Sequence, residues 1–311
     1  MNNNCEPLPL EDYKKLVNLE DHFQINKENK NLTSEQKTTI IEKLHLYLCS
    51  ELAEKSQLKM YCEVSSNYDE LRAKIRALLT VRAPVPLPDW FTVNFDKILQ
   101  SELLNRALVD ASELPTIADQ FPMTKFKGKD KCVLWRGDIS LLKADAIVNA
   151  ANSAMLGCFI PFHKCIDNII HSRSGPQLRD DCNIIMKKQD YPEKVGWAKI
   201  TRGYNLPSKY VIHTVGPDLS IENKVTKEHE KLLEDCYHSC LDEASNIGNL
   251  KSLVFCGIST GVFAFPNKLA AEIAIKTVEK WLINNPDKFD LIVFDVYSET
   301  DFEIYKEHFE N

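Results

Sequence analysis

Cys158, His163 and Cys165 bring two thiols and an imidazole into one short loop, GCFIPFHKC, and an aspartate, Asp167, follows at once. Zinc takes thiolate and imidazole donors at roughly 2.0 to 2.3 Å, and a single loop can supply three of them. In extended chain, residues two apart point to the same side, so His163 and Cys165 share one, and Pro161 helps the turn that returns Cys158 to them. A closed structural site takes four donors. Either a distant residue completes the set, or the fourth position stays open for water or substrate, as in catalytic sites. Two other readings stand beside the metal: a redox pair, whose usual C-x-x-C spacing this is not, and an unrelated core loop. Asp167 has its own alternatives: a base, a hydrogen-bond orienter, or the N-cap of the next helix. Cys236, His238 and Cys240 do not form a second such set, because on a helix His238 points away from the two cysteines.

Two further segments carry polar groups at the ends of apolar runs. ADAIVNAAN delivers Asn149 and Asn152 just before the cysteine loop. ISTGVFAFP places Ser259, Thr260 and Gly261 between an apolar run and a helix, where backbone N–H groups can cradle a phosphate.

These groups must be positioned by an α/β framework. From about Lys131, short β-branched runs alternate with longer helical patterns. Strands are expected at 132–135, 146–149, 198–202, 210–215, 252–256 and 291–296, and helices at 166–174, 177–188, 225–246, 268–284 and 301–308. That alternation predicts a sheet covered by helices on both faces. All 10 glycines lie between Gly128 and Gly261. The glycine-free part before them reads as a helical unit, with helices expected at 34–53, 68–79 and, after the proline cluster APVPLPDW, at 96–107. Residues 1–125 are thus expected to form a helical N-terminal extension and 126–311 the α/β domain, with KFKGKDK as a solvated link between them. Arg72, Arg76 and Arg82 read as a solvated helix face.

Composition bounds the rest. The chain has 311 residues, 44% of them hydrophobic and 27% charged, which is a globular profile. A formal net charge of -7 argues against nucleic acid as a partner, because that binding needs clustered lysine and arginine. No secretory signal is read at the N-terminus. The longest uncharged run, Ala146 to His163, is broken by asparagines and Pro161, so no membrane span is expected. An intracellular, cytoplasmic protein follows as the expectation, with the 10 cysteines reduced or acting as ligands.

The segments WRGDI (Trp135 to Ile139), DAIVNAAN, GCFIPFHKCIDNIIH, YVIHTVGP and ISTGVFAFP, in this order, resemble the macrodomain family, and in particular its MacroD-type, zinc-dependent branch. LRAKIRALLTVRAPVPLPDWF looks like that branch's helical extension. The resemblance implies a three-layer α/β/α macrodomain with a mixed central sheet and one Zn2+ per chain on Cys158, His163 and Cys165. For ADP-ribose it implies Asp138 and Ile139 at the adenine, Asn152, Ile166 and Asp167 towards the distal ribose, and Ser259, Thr260, Gly261, Val262 and Phe263 around the diphosphate. Asn152, Asp167 and His171 are the implied catalytic group. The implied activity is removal of mono-ADP-ribose from a modified protein, with ester-linked Asp or Glu as the expected linkage. A sirtuin-like ADP-ribosyltransferase is an implied functional partner. A reader that binds ADP-ribose without cleaving it, with zinc as a structural clip, is the alternative. One departure bears on mechanism: MacroD-type proteins carry a run of glycines where this chain has GCFIPFHKC, so their glycine-loop route to positioning substrate does not transfer.

Overall fold

The computed structural model describes residues 6–52, 56–63, 65–221 and 224–310. Cys5 and Ala53, both part of the readings above, lie outside these residues.

Two hydrophobic cores organise the chain. The smaller is helical. Helix α1 (Leu10–Tyr13) is a single turn, and α2 (Ser34–Leu52) and α3 (Tyr68–Val81) follow. Helix α2 opens at Ser34 as expected, capped by Thr33: its hydroxyl accepts from the Gln36 amide at 3.2 Å, and the Gln36 side-chain oxygen accepts from the Thr33 amide at 2.9 Å. Asn67 caps α3 by accepting from the Glu70 amide. The proline cluster ends α3 as expected, but its last member also begins the next helix. Pro88 directly precedes α4 (Asp89–Leu104), where a missing N–H costs nothing, so this helix starts at Asp89 rather than at residue 96 and ends at Leu104 rather than at residue 107. Ile41, Leu44 and Leu48 of α2 pack with Leu71, Ile75 and Leu78 of α3 and with Phe91, Phe95 and Ile98 of α4.

The larger core surrounds a mixed sheet. A two-residue strand β1 (Val109–Asp110) and the turn of helix α5 (Ile117–Gln120) lead into β2 (Cys132–Arg136), and the short β3 (Leu142–Lys143) pairs with β1. Then come β4 (Ala146–Ala151), α6 (Ile166–Ser174), α7 (Pro176–Gln189), β5 (Ala198–Arg202), β6 (Tyr210–Val215), α8 (Lys227–Ser245), β7 (Ser252–Phe255), α9 (Asn267–Asn284), β8 (Leu291–Val296) and α10 (Glu299–Glu310). The six-stranded order is β2-β8-β7-β4-β6-β5, parallel throughout except for antiparallel β5 at one edge. Strands buried on both faces must be largely apolar, and β4 and β6 are. Helices α6 and α7 pack on one face, and α8, α9 and α10 form the layer on the other. The architecture is the expected three-layer α/β/α arrangement with a helical N-terminal region.

Residues before 125 serve both cores. Leu10, Tyr13, Val17, Leu19, Ala111 and Ile117 join the sheet's core, and the Tyr13 hydroxyl accepts from the Ile200 amide on edge strand β5 at 2.9 Å. KFKGKDK differs from a solvated link: Phe126 is buried and packs edge-on against Phe294 and Phe309. No helix among the described residues is long and apolar enough to cross a membrane.

Candidate active site

Because β2, β4, β6, β7 and β8 run parallel, their carboxyl ends open on one edge of the sheet, where a crevice forms naturally. Gly137, Asp138 and Ile139 follow β2; Asn152 follows β4; Gly216 follows β6; Ser259 to Phe263 follow β7. All of them line one cleft together with Cys158, His163, Cys165, Ile166 and Asp167. Every residue assigned above to ligand or metal is therefore on its wall. His171 is not: it is buried behind Gly157, where an added Cβ would meet the imidazole at 2.9 Å, and its Nε2 stands 3.5 Å from Asp167.

At one end, Asp138 caps the 3-10 turn Ile139–Leu141. It accepts from the Ser140 amide at 3.2 Å and hydroxyl at 2.6 Å, and from Arg173 at 2.5 Å. Burial alone raises its pKa, but Ser140 and Arg173 outweigh burial and hold the carboxyl below its usual range. Sequence reasoning missed the neighbouring Asp295, a carboxylate inside the apolar strand β8. It lines the same cleft, burial pushes it well up, and its Oδ1 has no hydrogen-bond partner. In the middle, Ser259 holds a left-handed φ of 64° and its buried hydroxyl is likewise unpartnered. Gly216 permits this approach, since a Cβ there would lie 1.9 Å from the Ser259 oxygen.

At the other end stands Asp167. Its Oδ1 accepts from Asn149 at 2.8 Å and its Oδ2 lies 3.5 Å from the Asn152 amide nitrogen. Asn152 in turn donates to the Gly157 carbonyl at 3.1 Å. Burial raises the Asp167 carboxyl to about 6, against the opposing pull of Asn149 and Arg179. Asp167 does not cap its helix. Cys165 does, accepting from the Asn168 amide at 3.4 Å, so the positive end of α6 faces a sulfur.

The three donor atoms of Cys158, His163 and Cys165 lie within 4.8 Å of one another. Cys158 Sγ is 3.5 Å from His163 Nδ1. Thiolate and imidazole donors at their zinc distances on tetrahedral directions sit roughly 3.6 Å apart, so the donor set fits that ion. Burial holds the Cys165 thiol up at about 11 without a metal, with Cys158 adding to the rise. A second group, His171, Cys182 and His213, is also close-knit, but its hydrogen bonds argue against an ion. Asn149 can only donate to His213 Nδ1, at 3.1 Å, so the proton sits on Nε2 and points to Thr201, 2.9 Å away. Both nitrogens of His213 are engaged. Burial takes His213 down to about 3 and keeps it neutral. The clue to His213 and Asn149 in the sequence is a polar side chain inside an otherwise apolar strand, which demands a partner.

Arg72, Arg76 and Arg82 do not form a solvated face. Arg72 forms a two-bond pair with Glu102, Arg82 pairs with Glu51, and Arg76 donates to Asn168 at 2.9 Å. Arg72 and Arg76 line the cleft, so α3 supplies part of its wall.

Fold and cleft define a three-layer α/β/α protein whose ligand site opens at the carboxyl ends of its parallel strands. A Macro domain family profile matches residues 148–274. A protein-ADP-ribose hydrolase of Staphylococcus aureus (strain MRSA252) is 43% identical over 263 residues, covering 85% of this chain and 94% of that protein. One from Treponema medium is 44% identical over 243 residues, covering 78% and 89%. The Trypanosoma brucei macrodomain, solved in complex with ADP-ribose, superimposes with a TM-score of 0.56 at 28% identity, covering 75% of this chain and 94% of that one. The chain belongs to the macrodomain family, and it is a hydrolase.

Proposed function

We propose that the protein is a zinc-dependent protein-ADP-ribose hydrolase that releases mono-ADP-ribose from ester-linked Asp or Glu side chains. The observation that carries this reading is the meeting of a buried carboxylate, Asp167, with a three-donor Cys/His/Cys set at one end of a cleft whose other end holds Asp138. The names of the relatives from Staphylococcus aureus and Treponema medium, and the ADP-ribose in the Trypanosoma brucei structure, support the substrate.

In this reading Asp138 and Ile139 receive the adenine, and the Ser259 hydroxyl with the backbone of residues 259–263 receives the diphosphate. Asn152 and Ile166 border the distal ribose. Asp167, fixed by Asn149 and backed by the neutral His171, accepts a proton from the attacking water or orients it. Water adds across the ester, giving free ADP-ribose and the free side-chain carboxylic acid. Cys158, His163 and Cys165 would hold zinc, which supplies Lewis-acid polarisation and orientation of oxygen groups. Two thiolates offset much of its charge, so orientation is the larger part. A functional pairing with a sirtuin-like ADP-ribosyltransferase belongs to the same reading.

The test is release of label from ester-linked and serine-linked mono-ADP-ribosylated proteins, with and without chelator, for wild type and Cys165→Ala. Release from the ester alone, stopped both by chelation and by the substitution, is the expected result. Binding without release would make the protein a reader, and release by zinc-free Cys165→Ala would remove the metal from the reaction.

A further inference from the structure

The donor loop, residues 157–165, has no regular secondary structure, and Phe159, Ile160 and Phe162 within it are 40%, 60% and 45% exposed. Irregular, partly exposed chain of this kind opens easily, so its order depends on the few contacts that fix it. The extension touches it directly at Tyr61, and reaches it through Asn168 of α6 and Arg179 of α7. Arg76 on α3 donates to Asn168 Oδ1 at 2.9 Å. Asn168, fixed in that orientation, donates its Nδ2 to the Ile160 carbonyl at 3.1 Å and its backbone amide to Cys165 Sγ at 3.4 Å. Tyr61, ahead of α3, meets Phe162 edge-on at 6.3 Å. Arg179 of α7 donates to the Leu79 and Arg82 carbonyls at the end of α3, both at 2.8 Å, and lays its guanidinium over the Phe159 ring at 4.6 Å.

The amide of Asn168 has one acceptor and one donor end, and this arrangement uses both. Arg76 holds the acceptor end, so the donor end must face the loop. We propose that the helical extension holds the Cys/His/Cys loop in its binding geometry, with Arg76 as the positioning residue acting through Asn168. The proposal rests on the zinc reading above, but its core is a statement about the loop itself. Partners that orient metal ligands from outside the ligand set are worth about 10- to 100-fold in metal affinity. Arg76→Ala takes away the arginine's hold while leaving every donor in place.

The experiment uses the full chain and three variants, Arg76→Ala, Arg76→Lys and Tyr61→Ala. Zinc affinity is read by competition with a chromophoric chelator, amide exchange over residues 158–165 is read in metal-free protein, and free ADP-ribose affinity is read alongside. Expected are zinc binding weaker by about tenfold or more in Arg76→Ala, faster loop exchange, and partial recovery of both in Arg76→Lys. Tyr61→Ala, at a peripheral contact, gives the same signs if Arg76→Ala does not fold. Unchanged zinc affinity and unchanged exchange overturn the proposal. So does a loss of ADP-ribose affinity with zinc binding intact, which would make Arg76 a ligand contact. A wild type that binds no zinc defeats the metal reading alone, because loop exchange in metal-free protein still decides whether the extension holds the loop.

Discussion

The α/β part and the helical extension solve different problems with different residues. The first holds all 10 glycines, and where they matter they let backbone and side chains crowd: Gly216 under Ser259, Gly157 over His171. The second has none, builds its own core from α2, α3 and α4, and pairs Arg72, Arg76 and Arg82 with protein groups rather than leaving them to water. The groups assigned to ligand and metal stand on loops after strands or at the start of α6, while Asn149 backs Asp167 from within β4 and His171 from further along α6. The extension contributes only wall and grip. A catalytic cleft needs strained, close-approaching chain, whereas a buttress needs continuous helix, and the placement of glycine along the chain separates the two.

The sharpest way to break this division is at Asp167. Asp167→Asn keeps the shape and still accepts from Asn149, so ADP-ribose affinity should stay within about threefold while turnover falls by about 10²-fold or more, as for loss of a general base or its orienter. Steady-state release and calorimetric binding check it. Equal losses in both would make Asp167 a binding residue and move the chemistry elsewhere.

Next in size is a cut at the other core. Phe91→Ala should cost about 3 to 5 kcal/mol locally, since a fully buried ring leaves a cavity. Amide exchange should then show α2, α3 and α4 opening while β4, β6 and β8 stay protected. Loss of protection in the sheet to the same extent would show the two cores to be one cooperative unit.

The smallest effect belongs to Glu243 on α8. Burial, then Glu193 and Asp242, raise its carboxyl from 4.5 to about 7, against the pull of Lys199. The fully buried Lys199–Glu193 pair, 2.8 Å apart, and the Tyr13 ring stand beside it. The folded state therefore holds a proton that the unfolded chain has lost, and stability falls as pH rises through roughly 4.5 to 7. Glu243→Gln removes that dependence. Its thermal midpoint should exceed wild type by a few degrees at pH 8 and come close to it near pH 4.5, where the wild-type carboxyl is largely protonated in the fold and half protonated in the unfolded chain. A gap at pH 4.5 as large as at pH 8 would rule out titration as the cause.

Strands β5, β6 and β8 and helix α6 lie where the sequence puts them: β6 and β8 are nearly unbroken apolar runs, Ile200 and Thr201 mark β5 by β-branching, and Gly175 punctuates the helix. The start of α4 is less legible, because a proline cluster reads first as a stop, although Pro88 also serves as a beginning. The cleft's membership is legible in the polar residues after strands. Its bracing is not: an arginine on a helix looks the same whether it faces water or another element, and Arg76 finds Asn168 92 residues away. The capping sulfur of Cys165 is obscured for a similar reason, since an aspartate two residues on is the more familiar cap.

Tyr13 bears on the sheet's outer edge. By taking the Ile200 amide with its hydroxyl, it occupies a backbone donor that another copy of β5 would otherwise engage. Helix α1 thus covers part of that border, and a chain shortened past Tyr13 is expected to self-associate there, which light scattering would detect.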